Sequence, residues 1–141
     1  MMSSLLKQLK SDEGLRLRAY KDTLGNWTIG YGHTGREVQH GLIWTEKQAE
    51  EALLEDIEEA KALANRLEWF PTLNEPRQAA LINMFFQMGN KVFQFKRTLA
   101  AIRDGRYEDA RESGLRSLWA RQTPARAKRV MTQIATGEWE Y

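Results

Sequence analysis

Two carboxylates near the start of the chain, Glu13 and Asp22, stand in settings different enough to divide acid from base chemistry. Glu13 lies four residues after Leu9 and continues the apolar stripe of Leu5, Leu6 and Leu9 on an N-terminal helix. A carboxyl on that inward face is costly to ionise and keeps its proton toward neutral pH, as a general acid must. The alternative is a frayed helix end with Glu13 in water. Asp22 falls at a hairpin turn, where water and turn amides keep a carboxylate charged. A lone turn aspartate carries little meaning, but two carboxyls in divergent environments can act as donor and acceptor. A turn centred near Leu24-Gly25 brings Thr28, on the return strand, to within about one residue of facing Asp22. Its hydroxyl could hold a water there; a threonine chosen for strand propensity is the plainer reading.

A second group concerns support rather than reaction. The apolar positions Ala49, Ala52, Leu53, Ile57, Ala60, Leu63, Ala64 and Leu67 form a helical stripe that also takes in Asp56. An inward carboxylate needs a partner, and His33 is the economical one. A couple of that kind predicts a raised pKa for His33 and a depressed one for Asp56. His33 and His40 lack metal-ligand spacing, so no metal site is expected. Asn83 and Gln87, four apart on an apolar helix, either satisfy buried backbone groups or line a cleft. Trp27, Trp44, Trp69, Trp119 and Trp139 could stack on sugar rings, though core packing is the default.

These residues need elements to carry them. Ser3 or Ser4 can cap a helix running to about Ser11 or Glu13. From Leu15 the period becomes two, and Leu15, Leu17 and Ala19, then Trp27, Ile29 and Tyr31, read as a β-hairpin closed by Gly30, Gly32 and Gly35. Thr45-Glu46-Lys47-Gln48 is a capping box opening a helix to about Leu67. Asn74-Glu75-Pro76 opens a nearly all-apolar helix through Met88, stopped at Gly89. Helices follow near Arg97–Arg103 and Tyr107–Ser113, and Thr123-Pro124 caps a last one to about Ala135. The expected fold is α+β. One domain over residues 1–141 has a small hairpin lobe, about residues 15–44, within a helical body, and a cleft between them.

Composition narrows the classes. The chain has 141 residues, no cysteine and a net charge of +2, which excludes disulfide frameworks and thiolate chemistry. No apolar run suits an export signal or a membrane span. Residues 46–59 hold seven acids against Lys47, whereas residues 96–129 hold ten Lys/Arg against four Asp/Glu. The basic third favours a polyanion, nucleic acid or an acidic wall, unless it is simply a solvated helical surface.

The blocks Asp12-Glu13-Gly14-Leu15, Tyr20-Lys21-Asp22-Thr23 and Trp27 through His33 resemble the phage-lysozyme family, glycoside hydrolase family 24. So do Ala79 through Gly89, Trp119, Gln122-Thr123-Pro124, Arg126 through Val130, and Thr136-Gly137-Glu138-Trp139. The ordered set covers most of the chain and is most like the T-even phage pattern. The connection between His33 and Thr45 is shorter than in that pattern, and Asn90-Lys91-Val92-Phe93 lacks its extra glycines.

The resemblance implies a lysozyme-like fold and an endolysin. It would cleave the β-1,4 bond between N-acetylmuramic acid and N-acetylglucosamine in peptidoglycan, with inversion, and lyse a host. It implies Glu13 as acid, Asp22 as second carboxylate and Thr28 as third member of the catalytic set. It also implies the His33–Asp56 couple, a cleft wall from Phe86 and Gln87, and Asn83 and Arg126 in support, Arg126 near Glu13. Thr34, Thr98 and Ser113 occupy sugar-contacting positions by the same likeness. No cofactor, nucleic acid or membrane insertion is implied. A monomer in the host cytoplasm would reach the wall when a separate holin-like protein permeabilises the membrane. The rivals are a lytic transglycosylase forming 1,6-anhydro products, which has no need of Asp22 and Thr28, and a non-catalytic wall- or nucleic-acid-binding helical protein.

Overall fold

The computed structural model describes residues 1–141, and the architecture is α+β and lysozyme-like, mostly helical with one small antiparallel sheet. The chain divides into two compact units, residues 6–59 and residues 1–5 with 60–141. No helix is long and apolar enough to cross a membrane.

The unit of residues 6–59 holds the end of helix α1 (Met2–Glu13), the strands β1 (Arg16–Lys21), β2 (Trp27–Gly30) and β3 (His33–Thr34), and most of helix α2 (Glu46–Ala64). The strands lie in the order β1-β2-β3, with Tyr20 opposite Thr28, Lys21 opposite Trp27, and Thr28 opposite Thr34. The turn therefore centres on Leu24, and Thr28 stands two residues from the position facing Asp22, not one. A register irregularity between Arg16 and Tyr20 breaks the expected alternation. Leu15 is 37% exposed and only Ala19 of that stripe is buried.

Burial of Ala19, Ile29 and Val38 against Trp27, Leu42 and Trp44 forms the core under the sheet. The connection after β3 returns to β1, where Ala19 N donates to Leu42 O and Trp44 N to Leu17 O, occupying an edge that would otherwise stay open. The capping box forms as expected. Thr45 Oγ1 accepts from Gln48 N at 3.2 Å, and Gln48 Oε1 accepts from Thr45 N at 2.8 Å. Helix α2 ends at Ala64 rather than Leu67, because Arg66 and Leu67 bond three residues back, in a tightened turn.

The other unit is built on α3 (Glu75–Met88), in which Ala79 through Phe85 are all buried. Helices α4 (Lys96–Arg103), α5 (Tyr107–Leu115), α6 (Leu118–Gln122) and α7 (Pro124–Thr136) follow. Helix α6 and the 3₁₀ turns Phe70–Thr72 and Gly89–Gln94 were not legible as periodic segments; each is too short to show a stripe. Two expected caps do not form. Ser3 and Ser4 lie inside α1, which starts at Met2, and Tyr141 donates its hydroxyl to Ser4 Oγ. Thr123 precedes α7 but its hydroxyl donates back to Trp119 O at 3.1 Å.

The start of α3 and the end of α7 are tied by side chains. Arg77 donates to Ile134 O at 2.8 Å and Ala135 O at 3.3 Å, satisfying late carbonyls of α7, and lies over the Tyr107 ring. Asn74 accepts from Arg77 N at 3.1 Å as the N-cap of α3 and donates to Gly137 O at 3.0 Å. Asn74→Ala removes both bonds, so we expect a loss of roughly 1–2 kcal/mol in chemical denaturation. Asn74→Asp, keeping the cap acceptor alone, should recover about half. Equal losses in the two variants would show that the cap contributes nothing.

Candidate active site

Glu13 is the last residue of α1 and half-buried. Its carboxylate lies directly against the α-carbon of Gly32. A Cβ built on Gly32 would overlap a carboxylate oxygen and stand 2.8 Å from Cδ. Gly32 also has φ +73°, in the region that favours glycine. The residue is thus glycine for two reasons, the tight β2–β3 turn and the acid packed on it.

Asp22 has the contrasting setting. Its Oδ1 accepts from the backbone amides of Leu24 at 2.9 Å and Asn26 at 2.8 Å, and Oδ2 is 3.5 Å from Asn26 Nδ2. The Asn26 amide first, with the other turn donors, holds its pKa below the ordinary carboxylate value. Thr28, on the central strand, is 4% exposed. Its hydroxyl donates to Asn26 O at 3.0 Å. The proton is committed to the backbone, so the oxygen's remaining capacity is to accept, which suits holding a water.

His33 begins β3. Its Nδ1 is 2.7 Å from Asp56 Oδ2, and its other nitrogen, Nε2, is 2.7 Å from Glu37 Oε1. Glu37 was not legible as a partner in the sequence. Its only signal was an acid four residues after a histidine in a connection without helical periodicity. The ring of Trp44 lies 5.3 Å from the imidazole. Burial opposes charge on His33, but hydrogen bonds from Glu37 and Asp56 outweigh it and raise the pKa. For Asp56 the expected depression is corrected. Burial pushes its pKa up, beyond what His33 restores.

In the other unit the polar residues pair off. Asn83, 2% exposed, accepts from Arg126 Nε at 3.0 Å. Gln87 accepts from Trp119 Nε1 at 2.8 Å. Both amides therefore meet side chains of neighbouring helices, and Trp119, 5% exposed, is core rather than a sugar platform. Thr98 is 2% exposed and donates to Ser113 Oγ at 2.9 Å. Phe86 is half-buried and Thr34 exposed. No cluster of three or more metal-type side chains occurs.

The family model described as phage lysozyme matches residues 10–133. A probable T4-type lysozyme of Dictyostelium discoideum is 34% identical over 167 aligned positions, covering 97% of this chain and 96% of its own. The endolysin of Salmonella phage P22 is 33% identical over 121 positions, covering 83% of this chain and 81% of its own. The pre-baseplate central spike protein Gp5 of Enterobacteria phage T4 is 36% identical over 163 positions, 97% of this chain but 28% of that protein.

Two outcomes follow from this geometry. Gly32→Ala must displace the Glu13 carboxylate and adopt a strained φ, so any peptidoglycan hydrolysis that depends on that carboxylate should fall by on the order of a hundred-fold. Parental activity in a folded Gly32→Ala protein would remove the Glu13–Gly32 contact from the argument. For pH, the sign runs through His33. Its raised folded pKa means its contribution is complete below the unfolded value of about 6.5 and is lost as pH rises through the folded one. Asp56, also raised, contributes only below its unfolded value and loses that as pH rises. Stability should therefore decline above mildly acidic pH in the parent, and His33→Asn should lose the His33 part of that slope while keeping the Asp56 part. An unchanged slope, measured by urea midpoints from pH 5 to 8, would show that His33 is not its source.

Proposed function

The chain belongs to the phage lysozyme family, and from that membership we propose that it hydrolyses the β-1,4 bond between N-acetylmuramic acid and N-acetylglucosamine in peptidoglycan. The observation that carries the reading is the contrast between its two carboxyls. Glu13 rests half-buried on Gly32, whereas Asp22 is held charged by turn amides. Glu13 gives its proton to the leaving oxygen. Asp22 and Thr28 hold a water on the opposite sugar face, Thr28 by accepting from it, and Asp22 stabilises the positive charge that develops on the ring. Attack by that water, whose proton passes to Asp22 as the new C–O bond forms, inverts the anomeric centre, a course that needs carboxyls about 6.5–9.5 Å apart.

The remaining roles are proposals resting on the family likeness. Thr34, Phe86, Gln87 and Ser113 meet the glycan, with buried Thr98 acting through Ser113. Asn83 and Arg126 support the site. The chain works as a single domain and a monomer without cofactor. It gathers in the host cytoplasm and reaches the wall when a holin-like protein opens the membrane, lysing the host. The relatives, a probable T4-type lysozyme and an endolysin, support this reading.

The test is mass spectrometry of products from purified peptidoglycan, with parent and Glu13→Gln. The parent should leave reducing muramic ends. Glu13→Gln keeps shape but has no transferable proton, and should lose roughly 10²–10⁴-fold in rate. Anhydro ends would move the assignment to a transglycosylase. No products from the parent would leave the basic helices as a binding surface, and the hydrolytic reading would fail.

A further inference from the structure

Glu37 stands outside every role assigned above. It lies in the short connection after β3, and its carboxylate meets the ring nitrogen of His33 that Asp56 leaves open, both contacts being 2.7 Å. Carboxylates only accept, so both contacts are hydrogen bonds only when both ring nitrogens carry protons. The geometry thus selects the imidazolium form. A Cβ on Gly35 would stand 2.9 Å from Glu37 Cδ, so the loop is shaped around this carboxylate as the β2–β3 turn is around Glu13.

Strand β3 is two residues long, and so short a ladder holds its register poorly without side-chain help. Yet two functional positions depend on it. Gly32, which precedes His33, backs the Glu13 carboxylate, and Thr34 is paired with Thr28. We propose that Glu37 is a positioning residue for hydrolysis: with Asp56 it clasps the His33 imidazolium and so fixes the β2–β3 turn that sets Glu13 and Thr28. The proposal rests on the roles given to Glu13 and Thr28 above.

The groups around His33 define when the clasp holds. Asp56 faces it from α2, with Glu55 and Glu59 of the same helix adding negative potential at Asp56. Glu37 faces it from the connection, and Trp44 covers the ring. All the charged groups are acids and favour the imidazolium, while burial opposes it. The clasp is complete where Glu37 and Asp56 are ionised and His33 protonated, above the Asp56 titration that burial raises and below that of His33. Once His33 loses a proton, one nitrogen turns a lone pair toward a carboxylate and that contact is lost.

The experiment compares parent, Glu37→Ala and Glu37→Gln between pH 5 and 8.5. Turnover is counted as new reducing ends on peptidoglycan, and His33 is titrated by NMR without substrate. In Glu37→Ala, His33 should titrate at lower pH. The parent should exceed Glu37→Ala in kcat rather than KM by on the order of ten-fold, below the hundred-fold of a displaced catalytic group. That ratio should be largest below the parental His33 titration and shrink as His33 deprotonates. Glu37→Gln can accept from imidazolium or donate to neutral imidazole, so it should recover most of the rate across the range. An unmoved His33 titration would overturn the clasp. A pH-independent ratio would reduce Glu37 to loop packing. A parent that releases no reducing ends would remove the hydrolytic reading and positioning with it, a failure told apart because the His33 titration is read without substrate.

Discussion

An imidazole held between two carboxylates fixes a charge state as well as a place. His33 is bound at 2.7 Å on both nitrogens, and the arrangement joins a helix, a two-residue strand and a loop that share little other reason to stay in register. Its cost falls on Asp56. Burial makes that carboxylate harder to ionise, and a half-buried acid on an apolar stripe is tolerated only while its partner stays opposite. The interaction therefore contributes less to total stability than to definition. It decides where β3 sits, and through β3 where Gly32 and Thr34 sit.

Glycine completes that definition by absence. Gly32 lets the Glu13 carboxylate approach the backbone as a Cβ would forbid, and Gly30 does the same for Trp44 and Ala49, whose atoms would stand 3.1 Å and 3.3 Å from a Cβ there. Both have positive φ, so the turn between β2 and β3 is tight and closely covered. Side chains from the end of α1, from Trp44 and from the start of α2 are thus packed onto the bare backbone of the turn. Small displacements in one are felt in the others.

Helix positions were the most legible part of the sequence, because the stripes of α2 and α3 and the caps at Thr45 and Asn74 are local signals that tertiary contacts reinforce. The hairpin was legible in kind but not in register. The irregularity between Arg16 and Tyr20 moves Leu15 outward, and no local rule announces it. Thr123 looked like a cap, but its hydroxyl found the Trp119 carbonyl of the preceding helix. At the site, the inward placement of Asp56 pointed to His33, since a buried charge demands an answer. The direction of the Asp56 shift was misjudged by weighing its partner above its burial. Glu37 was invisible for a related reason. An exposed acid in a loop carries no periodic signature, and its meaning arises only when the connection folds back onto the histidine.

The division of labour between the carboxyls also follows from local structure. A carboxylate that accepts two turn amides on one oxygen is a weaker base than a free one, since each donor stabilises the charged form. Asp22 is therefore better suited to standing charged beside a cationic sugar than to removing a proton outright. In a site that passes through an oxocarbenium-like state, that is sufficient early in the reaction, because the water gains acidity as it bonds to the cationic carbon and surrenders its proton late. Before then the water must be aimed rather than activated. The Thr28 oxygen, its own proton tied to Asn26, can aim it by accepting. In the proposed hydrolysis, weak basicity at Asp22 makes the threonine's orientation part of the chemistry, and Thr28 is held in the sheet by its pairing with Thr34.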